Sequence, residues 1–275
     1  MSLDTIRLGT SSDVPQIVNF VMELARYEKL EHEVLFDQDQ YRQYLFEERH
    51  EPAPNVLLAE DASKQLGFAL FIRILPLVFH LEDLFVSVEA RGRGTGKRLL
   101  SDLARTVIEN QGTTLEWACL DWNKPSLDFY YALGAVPITN RVLYRKTGES
   151  LKEYPVFDSF EEDPETSEFG RKVSLPTPTG SASVWYTLSF TTFLATPVLL
   201  VTKIEAEPEH AIKIFMYLSN KAVKLGYKRI DIRIDPSSQF ELADRLVRDL
   251  GAFELKGWIP ISLSGEALRK LANIE

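Results

Sequence analysis

The sequence predicts an α/β protein: a mixed sheet flanked by helices, followed by a second, degenerate α/β domain of the same plan. Three observations carry that prediction. Stretches with strand and helix period alternate from residue 5 to residue 135. A glycine-rich turn, Arg91-Gly92-Arg93-Gly94-Thr95-Gly96-Lys97, stands between a strand and a helix. The same order of elements then recurs at a shift of about 117 positions. A chain of 275 residues is long enough for two such domains.

The first strand is TIRLG (5–9). Ser12 or Asp13 caps the helix that follows, with Pro15 tolerated in its first turn. Ile17, Val21, Leu24 and Ala25 fall on one helical face, and Tyr27 and Glu28 end the helix. A second helical stretch covers about 37–48. NVLLAE (55–60) and LGFALFI (66–72) are paired strands, and LEDLFVSV (81–88) is the next. SDLARTVIEN (101–110) forms the helix on the glycine turn, stopped by Gly112. TLEWACL (114–120) is a strand, and Pro125 to Leu133 a short helix closed by Gly134. Residues 149–170 are acidic, carry two prolines and lack periodicity, so they read as a linker between domains at 1–148 and 171–275. In the second domain KVSLP (172–176), SASVWYTLSF (181–190) and PVLLVTKIEAE (197–207) echo the three strands before the glycine turn. AIKIFMYLSNKAVKLG (211–226), RIDIRI (229–234) and FELADRLVRDLGAF (240–253) echo the helix, strand and helix after it. Leu250-Gly251-Ala252 reproduces Leu133-Gly134-Ala135. Chance similarity between two strand–helix–strand–helix units stays open as the alternative.

Composition narrows the function classes. With 45% hydrophobic and 26% charged residues, the chain has the make-up of a soluble globular protein. No apolar run approaches the roughly 18 to 20 residues of a membrane span, and the start, MSLDTIRLGTSSD, lacks signal-peptide character. The single cysteine, Cys119, excludes an intrachain disulfide and points to a reducing, cytoplasmic compartment. A net charge of −9 provides no footprint for nucleic acid and favours a cationic small substrate.

The glycine turn is built for an anion. Three glycines at alternate positions open the backbone N–H groups, and the following helix adds the positive end of its dipole. Arg91, Arg93, Lys97 and Arg98 add formal charge. A P-loop would place Ser or Thr after the lysine, where Arg98 stands. A dinucleotide fingerprint would space its glycines G-x-G-x-x-G. What remains is R-x-x-G-x-G, formed by Arg91, Gly94 and Gly96, with a turn that binds nothing as the bland alternative.

That motif occurs in order with LARYEKL (24–30), LEDLFV (81–86) and LEWACLDWNKPSLDFYYALGA (115–135). Together they resemble the diamine and polyamine branch of the GNAT N-acetyltransferase superfamily, which includes spermidine/spermine and thialysine N-acetyltransferases, over about residues 3 to 147. The resemblance implies a GNAT-fold sheet, then a second, degenerate GNAT-like domain, and acetyl-CoA as co-substrate. Coenzyme contacts would come from Arg91, Gly92, Arg93, Gly94, Thr95, Gly96 and Lys97, and from the strand edge at Leu84, Phe85 and Val86. Asn123, Pro125, Ser126 and Tyr130 would complete them. Amine contacts would come from Tyr27, Glu28, Glu82, Glu116, Trp117 and Ala118. The chemistry asks for such groups: an amine with pKa about 10.4 must lose a proton before it attacks, and a nearby carboxylate can take it. Glu82 and Asp83 are expected on opposite faces of their strand, because neighbours alternate. By the resemblance Glu82 meets the amine, and Tyr130 gives its proton to the departing thiolate. Cys119 and the histidines at 32, 50, 80 and 210 show no ligand spacing, so no metal is expected.

The second domain lacks these features. Glu205-Ala206-Glu207-Pro208-Glu209-His210 stands where the glycine turn would be, and Val247 at or near the position of Tyr130. The expectation is one site per chain, in a monomer with an internal pseudo-dimer or in a homodimer, with no nucleic-acid or membrane partner. The segment after Gly134 is short and has no acidic counterpart between Val136 and Arg141 for a contact found in polyamine enzymes. Thialysine, another short amine or a peptide amine are therefore the open acceptors. A protein or peptide N-acetyltransferase and a non-catalytic acyl-CoA-binding regulator are the rival functions. Glu82 and Tyr130 argue against the regulator, which needs neither.

Overall fold

The computed structural model describes residues 4–35, 37–48, 52–62, 64–156, 158–178, 180–193 and 196–274. The strands are β1 (Thr5–Leu8), β2 (Pro54–Asp61), β3 (Lys64–Leu75), β4 (Val78–Val86), β5 (Thr114–Leu120), β6 (Val136–Pro137) and β7 (Val142–Thr147), then β8 (Glu161–Ser167), β9 (Gly170–Thr177), β10 (Gly180–Thr191), β11 (Thr196–Glu205), β12 (Arg229–Ile234), β13 (Phe253–Glu254) and β14 (Trp258–Ser264). The helices are α1 (Val14–Glu28), α2 (Gln38–Arg42), α3 (Thr95–Glu109), α4 (Lys124–Ala132), α5 (Pro208–Lys224), α6 (Phe240–Leu250) and α7 (Gly265–Ala272). They divide between two compact units, each assembled from separated stretches of chain.

The first unit comprises Met1–Pro137, Phe190–Ala195 and Ile261–Glu275. Its sheet runs β1-β2-β3-β4-β5-β14-β6. The first four strands are antiparallel neighbours, and β5 joins β4 in parallel because α3 carries the chain across the sheet. Helix α1 buries Val14, Ile17, Phe20, Val21, Leu24 and Ala25, the stripe that 3.6-residue spacing requires. It stops at Lys29, whose left-handed backbone (φ 63°) returns its N–H to Ala25 and Arg26. Asp13 stands at the N-cap, but its carboxylate serves β1 and the turn before the helix: the Arg7 guanidinium donates to both oxygens at 2.8 Å, and Thr10 N–H donates to one. The second helical stretch is α2 continued by a π-helical turn, 43–47.

The second unit comprises Ile138–Ser189 and Thr196–Pro260, with a sheet in the order β13-β7-β12-β11-β10-β9-β8. Read from β8, that is the order of the first sheet, and β11 and β12 are parallel across α5 as β4 and β5 are across α3. Its core gathers Val184, Leu199, Val201, Phe215, Leu218, Ile232 and Leu246. One feature of its sequence differs from expectation. The acidic stretch holds a strand, β8, paired with β9 from Glu161↔Ser174 to Ser167↔Gly170. It is the last strand of the sheet, where charge and proline cost little because one edge needs no partner. Glu162 on it is anchored by Lys221 at 2.6 Å and Tyr217 at 2.7 Å. The two residues between β8 and β9 also leave no room for counterparts of α1 and α2.

The sixth strand of each sheet, counted from β1 and from β8, comes from an unexpected part of the chain. VLYRKT, which follows the first domain's last helix, is β7 of the second unit, and WIPISLS near the carboxyl terminus is β14 of the first. Side chains explain the choice. Arg145 of β7 lies directly opposite Asp231 of β12 and donates to it at 2.9 Å; Arg229 adds a second donor at 2.8 Å. That pair holds the buried Asp231 carboxyl down at about 2 against the cost of its burial. β14 instead buries Ile261 and Leu263 completely.

Candidate functional site

The site grows from an irregularity in β4. Pairing with β3 passes from Leu70↔Asp83 directly to Phe71↔Leu81, so Glu82 is an extra residue, a β-bulge. Before the bulge Phe79 faces the end of α3, since a side chain at Gly112 would strike both Phe79 and Val107. After it Phe85 packs on Phe20 of α1, with ring centroids 5.5 Å apart. Odd-numbered residues have changed faces. The expectation that Glu82 and Asp83 point to opposite sides fails for this reason. Glu82 contacts His80 at 3.4 Å, and both carboxylates act on Tyr41 of α2. Glu28, the last residue of α1, joins them. Burial, then the charges of Glu82 and Glu33, push its carboxyl up to about 7. Burial, then Glu82 and Glu28, push Asp83 well above the carboxylate range.

On the neighbouring strand, pairing between β4 and β5 runs from Val78↔Thr114 to His80↔Glu116 and stops there among the described residues. The β4 edge at Leu84, Phe85 and Val86 is thereby left facing a gap rather than β5. Glu116 and Trp117 of β5 are buried, and Ala118 is exposed. The Trp117 ring meets Tyr130 edge-on at 5.0 Å. Tyr130 is buried on α4. Burial raises its phenol above the usual tyrosine range, with Cys119, Glu28 and Asp83 adding to the shift. Buried polar atoms are almost always partnered, yet His80 Nδ1, Asp83 Oδ2, Ser87 Oγ and Trp117 Nε1 have no hydrogen-bond partner among the described residues. His80 and Asp83 stand on β4, Ser87 just after it, and Trp117 on β5.

The glycine turn lies at the end of β4. Gly92 (φ 74°) and Gly94 (φ 84°) occupy the left-handed region, which presents the N–H groups of the turn and of the first turn of α3, including Gly96, to an anion. Arg93 and Lys97 are exposed beside it. Arg91 is braced: its Nε donates to Val86 O at 3.0 Å and its guanidinium lies over the Tyr27 ring at 5.8 Å. Two residues are turned to structure instead. The Thr95 hydroxyl and the Arg98 guanidinium both donate to Asp4, so Arg98 is not part of the free positive charge that its sequence position implies. Asn123 caps α4 through Ser126 N–H, with Pro125 in the first turn, and its Oδ1 accepts from the Tyr27 hydroxyl at 2.9 Å. Tyr27 thus joins Arg91, Asn123 and Trp122 rather than the carboxylates. Sequence reasoning missed Asp83, Tyr41 and His80, since only the bulge brings them together. His50 lies outside the described residues.

The comparisons with known proteins agree with this architecture. The profile of the acetyltransferase (GNAT) family matches residues 21–135. Thialysine N-epsilon-acetyltransferase of Bos taurus is 30% identical over 168 residues, 56% of this chain and 98% of that protein. L-ornithine N5-acetyltransferase NATA1 of Arabidopsis thaliana is 27% identical over 195 residues, 54% of this chain and 86% of that protein. A solved tandem GNAT protein from the clavulanic acid biosynthesis pathway covers 95% of this chain and 98% of its own, with a TM-score of 0.52 at 13% identity. The chain belongs to the GNAT acetyltransferase family. It is an acetyltransferase whose two seven-stranded sheets share one strand order, and its fold is that of the tandem GNAT protein.

Proposed function

We propose that this chain transfers an acetyl group from acetyl-CoA to the primary amine of a small amine, a diamine, polyamine or thialysine-like acceptor, by direct attack in a ternary complex. One observation carries the reading most: beside the open edge of β4, the buried Tyr130 packs on Trp117 and feels the charges of Glu28 and Asp83, and those two carboxylates feel Glu82. The relatives' names, thialysine N-epsilon-acetyltransferase and L-ornithine N5-acetyltransferase, likewise state acetylation of a side-chain amine.

The turn at 91–97 and the dipole of α3 would hold the coenzyme pyrophosphate, and the N–H groups of Leu84 to Val86 its pantetheine arm and thioester oxygen. Glu82, directly or through water, takes a proton from the ammonium. The amine nitrogen bonds to the carbonyl carbon, the C–S bond breaks, Tyr130 gives its proton to the departing thiolate, and the surplus proton on the new amide nitrogen restores the Tyr130 phenol. Unit two has glutamates before α5 and an exposed Val247 on α6, so we assign one active site per chain. A cytoplasmic monomer is the form we assign. No helix among the described residues is long and apolar enough to cross a membrane.

The test is release of free thiol from acetyl-CoA by the purified chain with a panel of diamines, thialysine, ornithine and peptides. Turnover of a small amine supports the reading; turnover of peptides alone, or binding of coenzyme without turnover, refutes it.

A further inference from the structure

His80 stands two residues before Glu82 on β4 and on the same face, because side chains i and i+2 of a strand share a side. Its Nε2 lies 3.4 Å from Glu82 Oε2, an ion-pair contact, and both side chains are largely buried. Its other nitrogen, Nδ1, is enclosed and has no hydrogen-bond partner among the described residues. A neutral imidazole carries one N–H and one lone pair. Buried N–H groups go unpaired more rarely than buried acceptors, so the hydrogen belongs on Nε2, toward Glu82.

The surroundings are acidic. Asp83 follows Glu82 across the bulge, and Glu116 of β5 pairs in register with His80. Glu28, at the end of α1, feels the charges of Glu82 and Glu33. Tyr41 of α2 completes the group, its phenol pushed up by burial and then by Asp83 and Glu82. In such company a donor on one carboxylate oxygen fixes that group's orientation and favours its charged form.

We propose, resting on the amine-acetylation reading above, that His80 is a positioning residue: its Nε2–H holds Glu82 Oε2 so that Oε1 is turned to the acceptor ammonium. Contacts of this kind shorten as substrate docks. No proton passes through the ring, since a relay needs an exit at Nδ1 and that atom is enclosed.

The experiment follows thiol release against pH, with the fastest small amine of the panel above, in the full chain and in His80→Phe and His80→Gln. His80→Phe keeps a ring and removes the donor. It should lower kcat about ten-fold or more with KM for acetyl-CoA unchanged. It should also move the acid limb of kcat/KM up by about one pH unit. His80→Gln, whose amide N–H can reach the same oxygen, should restore the limb and recover kcat to within about three-fold of wild type. Nitrogen NMR of the wild type at about pH 8, with the His80 signals identified by their loss in His80→Gln, should place the hydrogen on Nε2 and none on Nδ1. That measurement decides if His80→Phe does not fold. An active wild type whose kcat and acid limb are unmoved in His80→Phe, equal losses in the Phe and Gln variants, or a hydrogen on Nδ1 would each overturn the role of His80 alone. A wild type inactive on every amine overturns the function and this proposal with it.

Discussion

Tyr130 is the residue whose chemistry the structure constrains most narrowly. Its raised phenol keeps the proton at neutral pH, so replacing it by Phe removes the proton donor but little packing. Tyr130→Phe is expected to lower kcat by about 10²-fold or more while leaving coenzyme affinity nearly unchanged, as steady-state kinetics and calorimetry would show. Glu28 gives a second prediction, from its carboxyl at about 7 against an ordinary 4.5. The folded state holds that proton more tightly than the unfolded chain. Its stabilising contribution is therefore complete below about 4.5 and is lost as pH rises through about 7. Glu28→Gln should match wild type in Tm near pH 4 and exceed it near pH 8, by roughly 2–4 °C for each kcal/mol recovered. Equal Tm values at pH 8 would refute it. Glu82, Tyr130 and the glycine turn were legible as residues because each sits in a short motif. Asp83 and Tyr41 were not, because strand alternation sent Asp83 to the wrong face and a buried Tyr in DQDQYRQ looks like any core residue.

At the scale of elements, the pairing of β3 with the coenzyme edge of β4 depends on a close approach that only glycine allows. A Cβ on Gly67 of β3 would lie 2.4 Å from the Phe85 carbonyl oxygen. Gly67→Ala should push β3 from β4 beside the coenzyme edge, cost about 1–3 kcal/mol in urea unfolding, and reduce turnover. Strand placement depends on charge pairing in the same way. Asp231→Ala would leave the half-buried Arg145 and Arg229 without this acid and should cost about 3–5 kcal/mol, read by the same method. The wild-type contribution of Asp231, whose carboxyl is depressed to about 2, is present above the ordinary 3.8 and fades as pH falls toward 2. Helix and strand identities followed from periodicity. The strand β8 did not, because an edge strand carries no alternating apolar face to read.

For the whole molecule, the filling of the sixth strand position has a direct consequence. Residues 1–148 expressed alone would lack β14 and α7, and with them the buried Ile261, Leu263, Leu268 and Leu271, each worth about 1.5–3 kcal/mol of burial. That fragment is expected to be insoluble or self-associated, while light scattering after size exclusion should give the full chain as a monomer. A soluble, cooperatively unfolding, monomeric fragment would refute the first expectation, and a stable full-length dimer the second. The sequence by itself determined the fold class, the recurrence of its elements and the anion-binding turn, because periodicity and glycine spacing are local properties. Tertiary structure alone decided which sheet takes β7 and which takes β14, and which side of β4 carries Asp83. Two strands of like length fit the same gap until Arg145 meets Asp231, and a one-residue bulge reverses every face beyond it.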